Sequence, residues 1–380
     1  MKLRVTTCSD RAEWDRTVLG AGGHPLQLWG WGELKSRYAW TAERLLVQGD
    51  GRTVGAAQVL HRRLPPPFRS LAYVPRGPVA QESDRAAVLA ALADHVGHGT
   101  SVALSIEPDW ADPHSPLAKG VTDEEVRQLQ QTAPTGWLAD VAAAGFRRSA
   151  NTGLIPRTLI VDVTPDEDAI LKAFSSSTRQ NVRKSFRAEN VRFGEVTTDA
   201  DLEQVLAINK ETGLRAGFAV HDDGYHRAIR DLMGERSQLI AAWEGDEVVA
   251  FVWLVVSDTT AFELYGGVSP RGMKLRLNYG LKFHAMKHVK AQGVSRYDFN
   301  GLLNDGISDF KRQFSKHEDL LIGTWDKPLS PLYPVFATAL PKVRHTLKRG
   351  LPAARATLRD PKAALADVRA RLPKRVGTNS

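Results

Sequence analysis

The stretch QLIAAWEGDEVVAFVWLVV, residues 238–256, carries the clearest structural signal in this sequence of 380 residues. Two apolar runs rich in β-branched and aromatic residues flank the pair Gly245-Asp246, a pattern that predicts a β-hairpin. Residues 44–60, RLLVQGDGRTVGAAQVL, repeat this pattern around a Gly-Asp-Gly turn. Two hairpins of one kind indicate an internal repeat.

Each hairpin is followed by the same series of elements. A third strand is predicted at Leu71–Pro75 in the first half and at Thr260–Val268 in the second. A helix-like segment then follows at Arg85–Val96 and at Leu275–Gln292, the latter with apolar residues at near-helical spacing. The sequence therefore predicts an α/β (α+β) protein made of two copies of one unit, each a mixed twisted sheet flanked by helices.

The length of the chain allows two domains with cores of their own, at about 100–200 residues per domain. We predict a first domain at 1–155, completed by about 326–335, and a second domain at 156–325. Residues 336–380 form a predicted basic amphipathic tail.

The tail differs from the rest of the chain in charge. Residues 331–380 hold eleven Lys/Arg and two Asp, whereas the preceding residues are close to neutral. Leucines stand seven apart in it, at Leu351, Leu358, Leu365 and Leu372, with basic residues between them. An apolar seam beside a basic face is typical of segments that bind anionic lipid or RNA. The alternative is a frayed, solvated chain end.

Several classes of protein are excluded by what the sequence lacks. Cys8 is the only cysteine, which rules out an intramolecular disulfide framework and a cysteine-rich zinc site. No stretch reaches the ~18–20 uncharged apolar residues of a membrane span, and the N-terminus lacks a signal-peptide core. His95, His98 and His114 lack a plausible set of metal partners. We therefore expect an intracellular protein of the reducing cytosol, without a metal or a cofactor.

Three stretches narrow the function. They are LQLWGWGELKSRYAW (26–40), ETGLRAGF (211–218), and RLNYGLKFHAMKHVKAQGVSRYDFNGL (276–302) followed by GISDFKRQF (306–314). Together they resemble the FemABX family, and the last block, a helix leading into YDF-x-G and then F-K-x-x-F, is the most specific part. YVPRGP (73–78) and ELYGG (263–267) match family strands as well.

The resemblance implies a fold and an activity. It implies two tandem GNAT-like (acetyltransferase-like) domains, in the compact type without the coiled-coil arm of many members. It also implies aminoacyl-tRNA as donor and a muramyl pentapeptide, on lipid II or as its nucleotide, as acceptor. The expected reaction transfers Gly, Ala or Ser to an amine of the stem peptide. The long basic tail departs from the family pattern.

The F-K-x-x-F motif supplies the expected catalytic group. The resemblance points to Lys311, whose charge could stabilise negative charge on the reacting carbonyl or hold a phosphate of the tRNA 3′ end. Phe310 and Phe314 are expected to anchor that lysine. Tyr265 aligns with a tyrosine near the acceptor peptide. Alone, Lys311 could be a surface lysine on an amphipathic helix, and Tyr265 an aromatic residue on a buried strand.

Four further residues are expected to bind substrate. Lys35 and Arg215 align with family positions that bind the diphosphate of the muramyl nucleotide, which suits their charge and the forked donors of arginine. Tyr225 and Asn278 are weaker candidates of the same kind. Taken alone, each cation could equally be an exposed charge, and Asn278 could mark only a helix start or kink.

A basic stripe lies on a helix that is predicted to begin at Asp166 and to run on to Asn190. Three of its cations stand four residues apart and share a face. We predict that it follows tRNA phosphates, and a solvated helix face is the competing interpretation. The stripe consists of Arg179, Arg183, Lys184 and Arg187.

Three other functions stay open. GNAT-like domains commonly use acyl-CoA, although the glycines of VSPRGMKLRLNYG (268–280) are too far apart for the expected pyrophosphate loop. Alternatively, the acceptor is a peptide natural product, or the chain is an RNA-binding module built on its tail. For the leading function we expect a monomer, held at the inner face of the cytoplasmic membrane through the basic tail.

Overall fold

The structure of the chain, a computed structural model, describes residues 3–131, 136–149, 151–217, 219–303 and 305–338. Residues 1–330 form one compact unit. Its strands, in chain order, are β1 (Arg4–Thr7), β2 (Thr41–Gly49), β3 (Arg52–Arg63), β4 (Ser70–Pro75), β5 (Val79–Ala80), β6 (Ser101–Glu107), β7 (Leu117–Ala118), β8 (Arg147–Arg148), β9 (Arg157–Thr158), β10 (Ile160–Asp162), β11 (Val191–Glu195), β12 (Ser237–Glu244), β13 (Glu247–Val256), β14 (Thr260–Val268), β15 (Arg296–Asp298), β16 (His317–Leu320) and β17 (Trp325–Pro328).

The α-helices of this unit lie between and around the strands. In chain order they are α1 (Arg11–Gly20), α2 (Trp29–Ser36), α3 (Arg85–Gly97), α4 (Asp123–Gln131), α5 (Trp137–Ala143), α6 (Glu167–Ala173), α7 (Ser176–Phe186), α8 (Asp199–Ala216), α9 (Asp223–Met233), α10 (Pro270–Lys274), α11 (Leu277–Ala291) and α12 (Gly306–Lys311).

The described strands form two large sheets, and each contains one copy of the predicted unit. The first sheet has the order β1-β2-β3-β4-β6-β17-β8, with β5 beside β3, and the second has the order β10-β15-β14-β13-β12-β11. In both, a hairpin is followed by an antiparallel third strand, a helix and a strand parallel to the third. The repeat and the predicted fold class are therefore confirmed. A small third sheet, β7-β16-β9, accompanies them.

One hydrophobic core joins the two copies. It includes Trp14 and Leu34 from the first half together with Leu206 and Trp253 from the second. Helices α2 and α9 pack closely within it, because Gly30 has no side chain: a Cβ there would overlap the carbonyl oxygen of Leu232. Two further cores lie within the separate halves.

The helix predicted from Asp166 to Asn190 is wrong as a single element, since the structure has two helices, α6 and α7. Phe174 and Ser175 between them are extended, with ψ angles of 160° and 156°, and the Ser175 hydroxyl caps α7 at the Thr178 amide. The break lets the Phe174 ring enter the core, where it meets Phe283 and Phe314 at centroid distances of 6.1 and 5.2 Å. Burial of this ring outweighs the continuity of the helix.

The helix predicted from Leu275 begins two residues later, at Leu277. Arg276 takes a left-handed conformation with φ 61° and separates α10 from α11. The helix ends at Ala291, close to the predicted Gln292, and Gly293 follows it with φ 88°. A glycine just after a helix adopts this conformation without a Cβ penalty.

The two copies differ at their parallel strands. In the first copy, β4 and β6 stay paired up to Pro75 and Glu107. The Glu107 carboxylate is then covered, because it accepts hydrogen bonds from the amides of Gly153 and Leu154 at 2.6 and 2.9 Å. Hydroxyls of Tyr73 and Thr324 also donate to it. This end of the sheet is therefore covered in the first copy. In the second copy the corresponding parallel strands, β14 and β15, are paired over only three residue pairs.

The described part of the chain after Ser330 is short. Residues 331–338 belong to a second unit, in which the Phe336 amide bonds the Leu332 carbonyl at 3.0 Å, as in a helical turn. Most of the predicted tail at 336–380, including its leucine seam, lies outside the described residues. Among the residues that are described, none of the helices combines the length and apolar character needed to cross a bilayer.

The buried Glu107 carboxylate should matter for stability. Replacing Glu107 with alanine leaves the buried Thr324 hydroxyl and three part-buried donors without their acceptor. We expect it to lower the free energy of unfolding by about 3 kcal/mol. Urea unfolding of the full chain measures this. The exposed Glu82→Ala serves as the matched control, with an expected change within about 0.5 kcal/mol. Equal losses in both variants would refute the structural role.

Candidate active site

The candidate site lies where β14 and β15 separate. Their parallel pairing covers only Thr260–Phe262 and Arg296–Asp298, whereas β14 continues to Val268. The separation leaves a cavity of about 510 Å³, which residues of β14, α8, α11 and the segment at 300–311 line. Concave, mostly apolar cavities with a few polar groups are the usual form of a ligand site.

Lys311 lies at this cavity, at the end of the short helix α12. Asp305 caps that helix through the Ser308 amide at 2.8 Å. The Lys311 ammonium donates to the carbonyl oxygens of Asn300 and, at 3.1 Å, Gly301, both of which have left-handed φ angles. An ammonium has three protons, so two carbonyl bonds leave one for a ligand. Burial lowers the pKa of Lys311.

Phe310 and Phe314 hold α12 against the hydrophobic core of the second half. Phe314 is fully buried, and its ring lies 5.2 Å from that of Phe310 and 5.3 Å from that of Phe299. The Phe310 ring packs edge-on against Tyr279 at 5.0 Å and also lines the cavity. These contacts fix the backbone that carries Lys311.

Three more of the predicted site residues line the same cavity. Tyr265 follows a β-bulge in the pairing of β13 with β14, and burial raises its pKa to about 12. Arg215, near the end of α8, donates to the Val268 carbonyl at 3.1 Å and pairs with Glu211 at 3.3 Å. Asn278 stands in the first turn of α11. The structure therefore brings Lys311, Phe310, Tyr265, Arg215 and Asn278 together.

Lys35 and Tyr225 form a neighbouring cluster. The Lys35 ammonium donates to the Tyr225 hydroxyl at 2.8 Å and lies 4.7 Å from the centre of the Trp31 ring. Burial lowers the pKa of Lys35 to about 8. His226 connects the cluster to the cavity, because its ring lies 6.0 Å from that of Tyr225 and 5.0 Å from that of Tyr265. The predicted substrate-binding residues thus occupy two adjacent places.

The predicted tRNA-binding stripe divides in the structure. Arg179 donates to the Phe174 carbonyl at 2.6 Å, so it closes the end of α6. The other three cations are exposed and line a groove of about 550 Å³ together with Leu275. Met273, two residues earlier, lines the main cavity. The groove and the cavity therefore lie next to each other across α10. The cations of the groove are Arg183, Lys184 and Arg187.

Two charged residues in the cavity wall are not among the predicted site residues. Glu263 of β14 and Lys282 of α11 are both buried and form an ion pair. The Tyr297 hydroxyl donates to the second carboxylate oxygen of Glu263 at 3.1 Å. A signal was present, because Asn278 and Lys282 stand four apart and share a helix face. A lysine within an otherwise apolar helix stripe also marks a buried polar position.

One described set of residues has metal-like spacing, although its chemistry does not suit a metal. Ligand atoms of His24, Asp109 and Asp298 lie within 4.8 Å of one another. The His24 Nδ1 accepts the Leu26 amide at 3.1 Å, and burial lowers its pKa to about 3, so the neutral ring carries its proton on Nε2. A protonated nitrogen cannot ligate. Both Asp109 oxygens already bind Arg296, at 2.6 and 2.9 Å.

Comparison with known proteins agrees with the fold and the motifs. The family described as "Acetyltransferase (GNAT) domain" matches residues 172–312. Lipid II:glycine glycyltransferase of Staphylococcus aureus is 23% identical, and the match covers 84% of this chain and 92% of that protein. The family match extends to Arg312 and so includes Lys311.

Solved structures show the same architecture. FemX is similar with a TM-score of 0.74 at 20% identity, over 89% of this chain and 100% of that one. L-PGS from Bacillus licheniformis gives 0.53 at 14% identity, over 88% and 96% of the two chains. A tandem GNAT protein from the clavulanic acid pathway gives 0.50 at 14%, over 87% and 99%. The solved structures confirm the GNAT-like fold. The predicted resemblance agrees with the similarity to lipid II:glycine glycyltransferase and to FemX.

The half-buried ammonium of Lys35 should cost stability at neutral pH. Its pKa is about 8 in the folded chain and about 10.4 when unfolded. Between these values the unfolded state binds more protons, so the folded state gains stability as pH rises from 8 to 10.4. We expect Lys35→Met to stabilise the chain by about 1 kcal/mol at pH 7, less than the full shift because the side chain is partly solvated.

Urea unfolding at pH 7 and at pH 10 measures the effect of Lys35→Met. The gain should shrink at the higher pH. The exposed Lys316→Met is the matched control and should change stability by less than about 0.5 kcal/mol. A gain that is equal at both pH values would contradict the assignment to the charge of Lys35.

Proposed function

We propose that this chain transfers a small amino acid, glycine in the first place, from aminoacyl-tRNA to an amine of the lipid II stem peptide. The observation that supports it most directly is the cation Lys311, fixed at the wall of a cavity that four other family-motif residues line. The match to lipid II:glycine glycyltransferases over most of the chain supports the amino acid and the acceptor.

In the reaction an amine attacks the carbonyl of an aminoacyl ester. An amide bond forms, the ester bond to the tRNA ribose breaks, and the released tRNA hydroxyl takes up the proton that the amine loses. The ester is already activated, so the protein has to align the partners, let the amine lose a proton and stabilise the oxyanion. Orientation alone contributes on the order of 7–11 kcal/mol. Two protons of the Lys311 ammonium bind carbonyl oxygens, and the third is suited to donate to the oxyanion. The carbonyls of Asn300 and Gly301 hold that ammonium in place, and the Phe310 ring fixes the backbone of α12 that carries it.

Lys35 and Arg215 are suited to the diphosphate of the acceptor. Lys35 is half-buried beside Tyr225, a neutral partner, so an anionic ligand would stabilise its charge. Arg215 lies at the cavity and offers forked donors. Tyr265, between the two places, is positioned to contact the stem peptide. We propose no metal and no organic cofactor in this reaction.

The basic groove beside α10 is suited to the donor. Arg183, Lys184 and Arg187 offer exposed charge to a phosphate backbone. Because Met273 and Leu275 line neighbouring cavities, a tRNA end lying in the groove would reach the Lys311 cavity over a short distance. Association with the inner face of the membrane through residues 339–380 is part of the proposal and concerns a segment outside the described residues.

Mass spectrometry of a lipid II acceptor tests the function. The full-length protein is incubated with the acceptor, total tRNA, synthetases and all amino acids, with and without RNase. We expect a mass increment that RNase abolishes, and its size identifies the amino acid. No increment on lipid II or on the soluble muramyl pentapeptide, together with acylation when acetyl-CoA is supplied, would replace this proposal by a CoA-dependent one.

The same assay tests Lys311. Removing one group that stabilises an oxyanion costs about 10²–10³-fold in kcat, and we expect Lys311→Met to fall in this range with an unchanged circular dichroism spectrum. The exposed Lys316→Met is the matched control, with an expected change below about twofold. A fully active Lys311→Met would exclude the assigned role.

Salt dependence of tRNA binding tests the groove. The triple variant Arg183→Gln, Lys184→Gln, Arg187→Gln should bind aminoacyl-tRNA more weakly and lower the slope of log K against log salt by about 2 to 3. A triple variant of the exposed Arg4, Arg16 and Arg52 removes the same charge elsewhere and should leave the slope near that of the wild type. Equal effects of the two variants would argue for net charge alone.

A further inference from the structure

The buried ion pair of Glu263 and Lys282 is the feature of the cavity that the proposed reaction does not use. The side chains are 6% and 8% exposed, and they come from β14 and α11. The Lys282 ammonium donates to one carboxylate oxygen of Glu263, and the fully buried Tyr297 donates to the other at 3.1 Å. The carboxylate is therefore held from both sides.

Stability does not explain why this pair is buried. The free energy needed to remove two charges from water can exceed the attraction between them once they are buried. An apolar pair of similar size is often as stable. The strand also makes room for the pair, since a Cβ at Gly266 would lie 3.3 Å from the Lys282 ammonium and 3.4 Å from a Glu263 oxygen. Both charges line the same cavity as Lys311.

We propose that the Glu263–Lys282 pair is a positioning element that sets the charge state of Lys311. Glu263 is the counter-ion that keeps the Lys311 ammonium protonated in the cavity, and Lys282 limits that effect by neutralising part of the carboxylate. The role of this charge in catalysis rests on the proposed function, whereas the charge itself is a property of the free protein.

The charges around Lys311 support this assignment. Burial lowers the pKa of Lys311, and among the nearby charges the carboxylate of Glu263 opposes that shift most strongly. Lys282 acts in the same direction as burial. Asp298 and Asp305 also face Lys311 and raise its pKa by less. The Asp298 carboxylate accepts the Thr158 hydroxyl at 2.5 Å, and that of Asp305 caps α12, so both also have local structural roles.

The experiment is amine labelling of the free, full-length protein with acetic anhydride over a series of pH values. Mass spectrometry of the Lys311 peptide gives the pH at which half of the ammonium has lost its proton. We expect Glu263→Gln to lower this midpoint and Lys282→Met to raise it, each by about one pH unit for a charge at close range. Lys316→Met, an exposed lysine, should leave the midpoint of Lys311 unchanged.

A double variant covers the case in which Glu263→Gln does not fold. Glu263→Gln with Lys282→Met removes the pair as a whole, so no unpaired charge is left buried. The double variant differs from Lys282→Met only by the loss of the Glu263 charge, so the midpoint of Lys311 in the double variant should lie below that of Lys282→Met.

The pH at which transfer activity falls on the alkaline side should shift in the same way. It should be lower in Glu263→Gln and higher in Lys282→Met than in the wild type. Midpoints that do not move, or that move in one direction in both single variants, would overturn the inference. If the wild type showed no transfer at all, the proposed function would be refuted. The labelling would still test the role of the Glu263–Lys282 pair, because it needs no transfer activity.

Discussion

The hydrogen bonding between the parallel strands β14 and β15 is the constraint on which the site depends. The two strands are paired over three residue pairs, and beyond Phe262 the backbone of β14 continues without β15 beside it. The space so opened receives side chains from α8, α11 and the segment at 300–311. Had the pairing continued to Val268, the cavity that Lys311 lines would be filled by a strand.

The first copy of the unit shows what continued pairing does. There β4 and β6 remain paired up to Glu107, and the amides of Gly153 and Leu154 bind that carboxylate. A buried carboxylate with several donors is a satisfied structural group, so this end of the sheet is closed. The hairpins of the two copies are alike. The copies differ in how far their parallel strands stay paired and in the covered carboxylate of Glu107.

The chemistry of the open copy depends on how charge is placed in it. Lys311 is held by two carbonyls, and its cavity also contains the ion pair of Glu263 and Lys282. Lys35 is half-buried beside a tyrosine hydroxyl. Buried charges that are only partly compensated are costly in stability. They are the groups on which an anionic ligand or transition state would act most strongly.

The sequence alone was enough to predict the repeat, the hairpins and the motif residues around Lys311, because local periodicity and turn chemistry depend on consecutive residues. It also placed Phe310, Tyr265, Arg215 and Asn278 in one site through their resemblance to a family. It did not separate Lys35 and Tyr225 from that group, and it joined α6 and α7 into one helix, since burial of Phe174 is a tertiary effect.

Which charges share a cavity is set by tertiary packing. Glu263 and Lys282 are nineteen residues apart and meet because β14 and α11 pack side by side, which no local pattern encodes. Arg179 appeared equivalent to Arg183 on a helix face, yet a backbone carbonyl at the end of α6 binds it. Such pairings depend on distances between elements, and these are fixed by packing of the core and not by spacing along the chain.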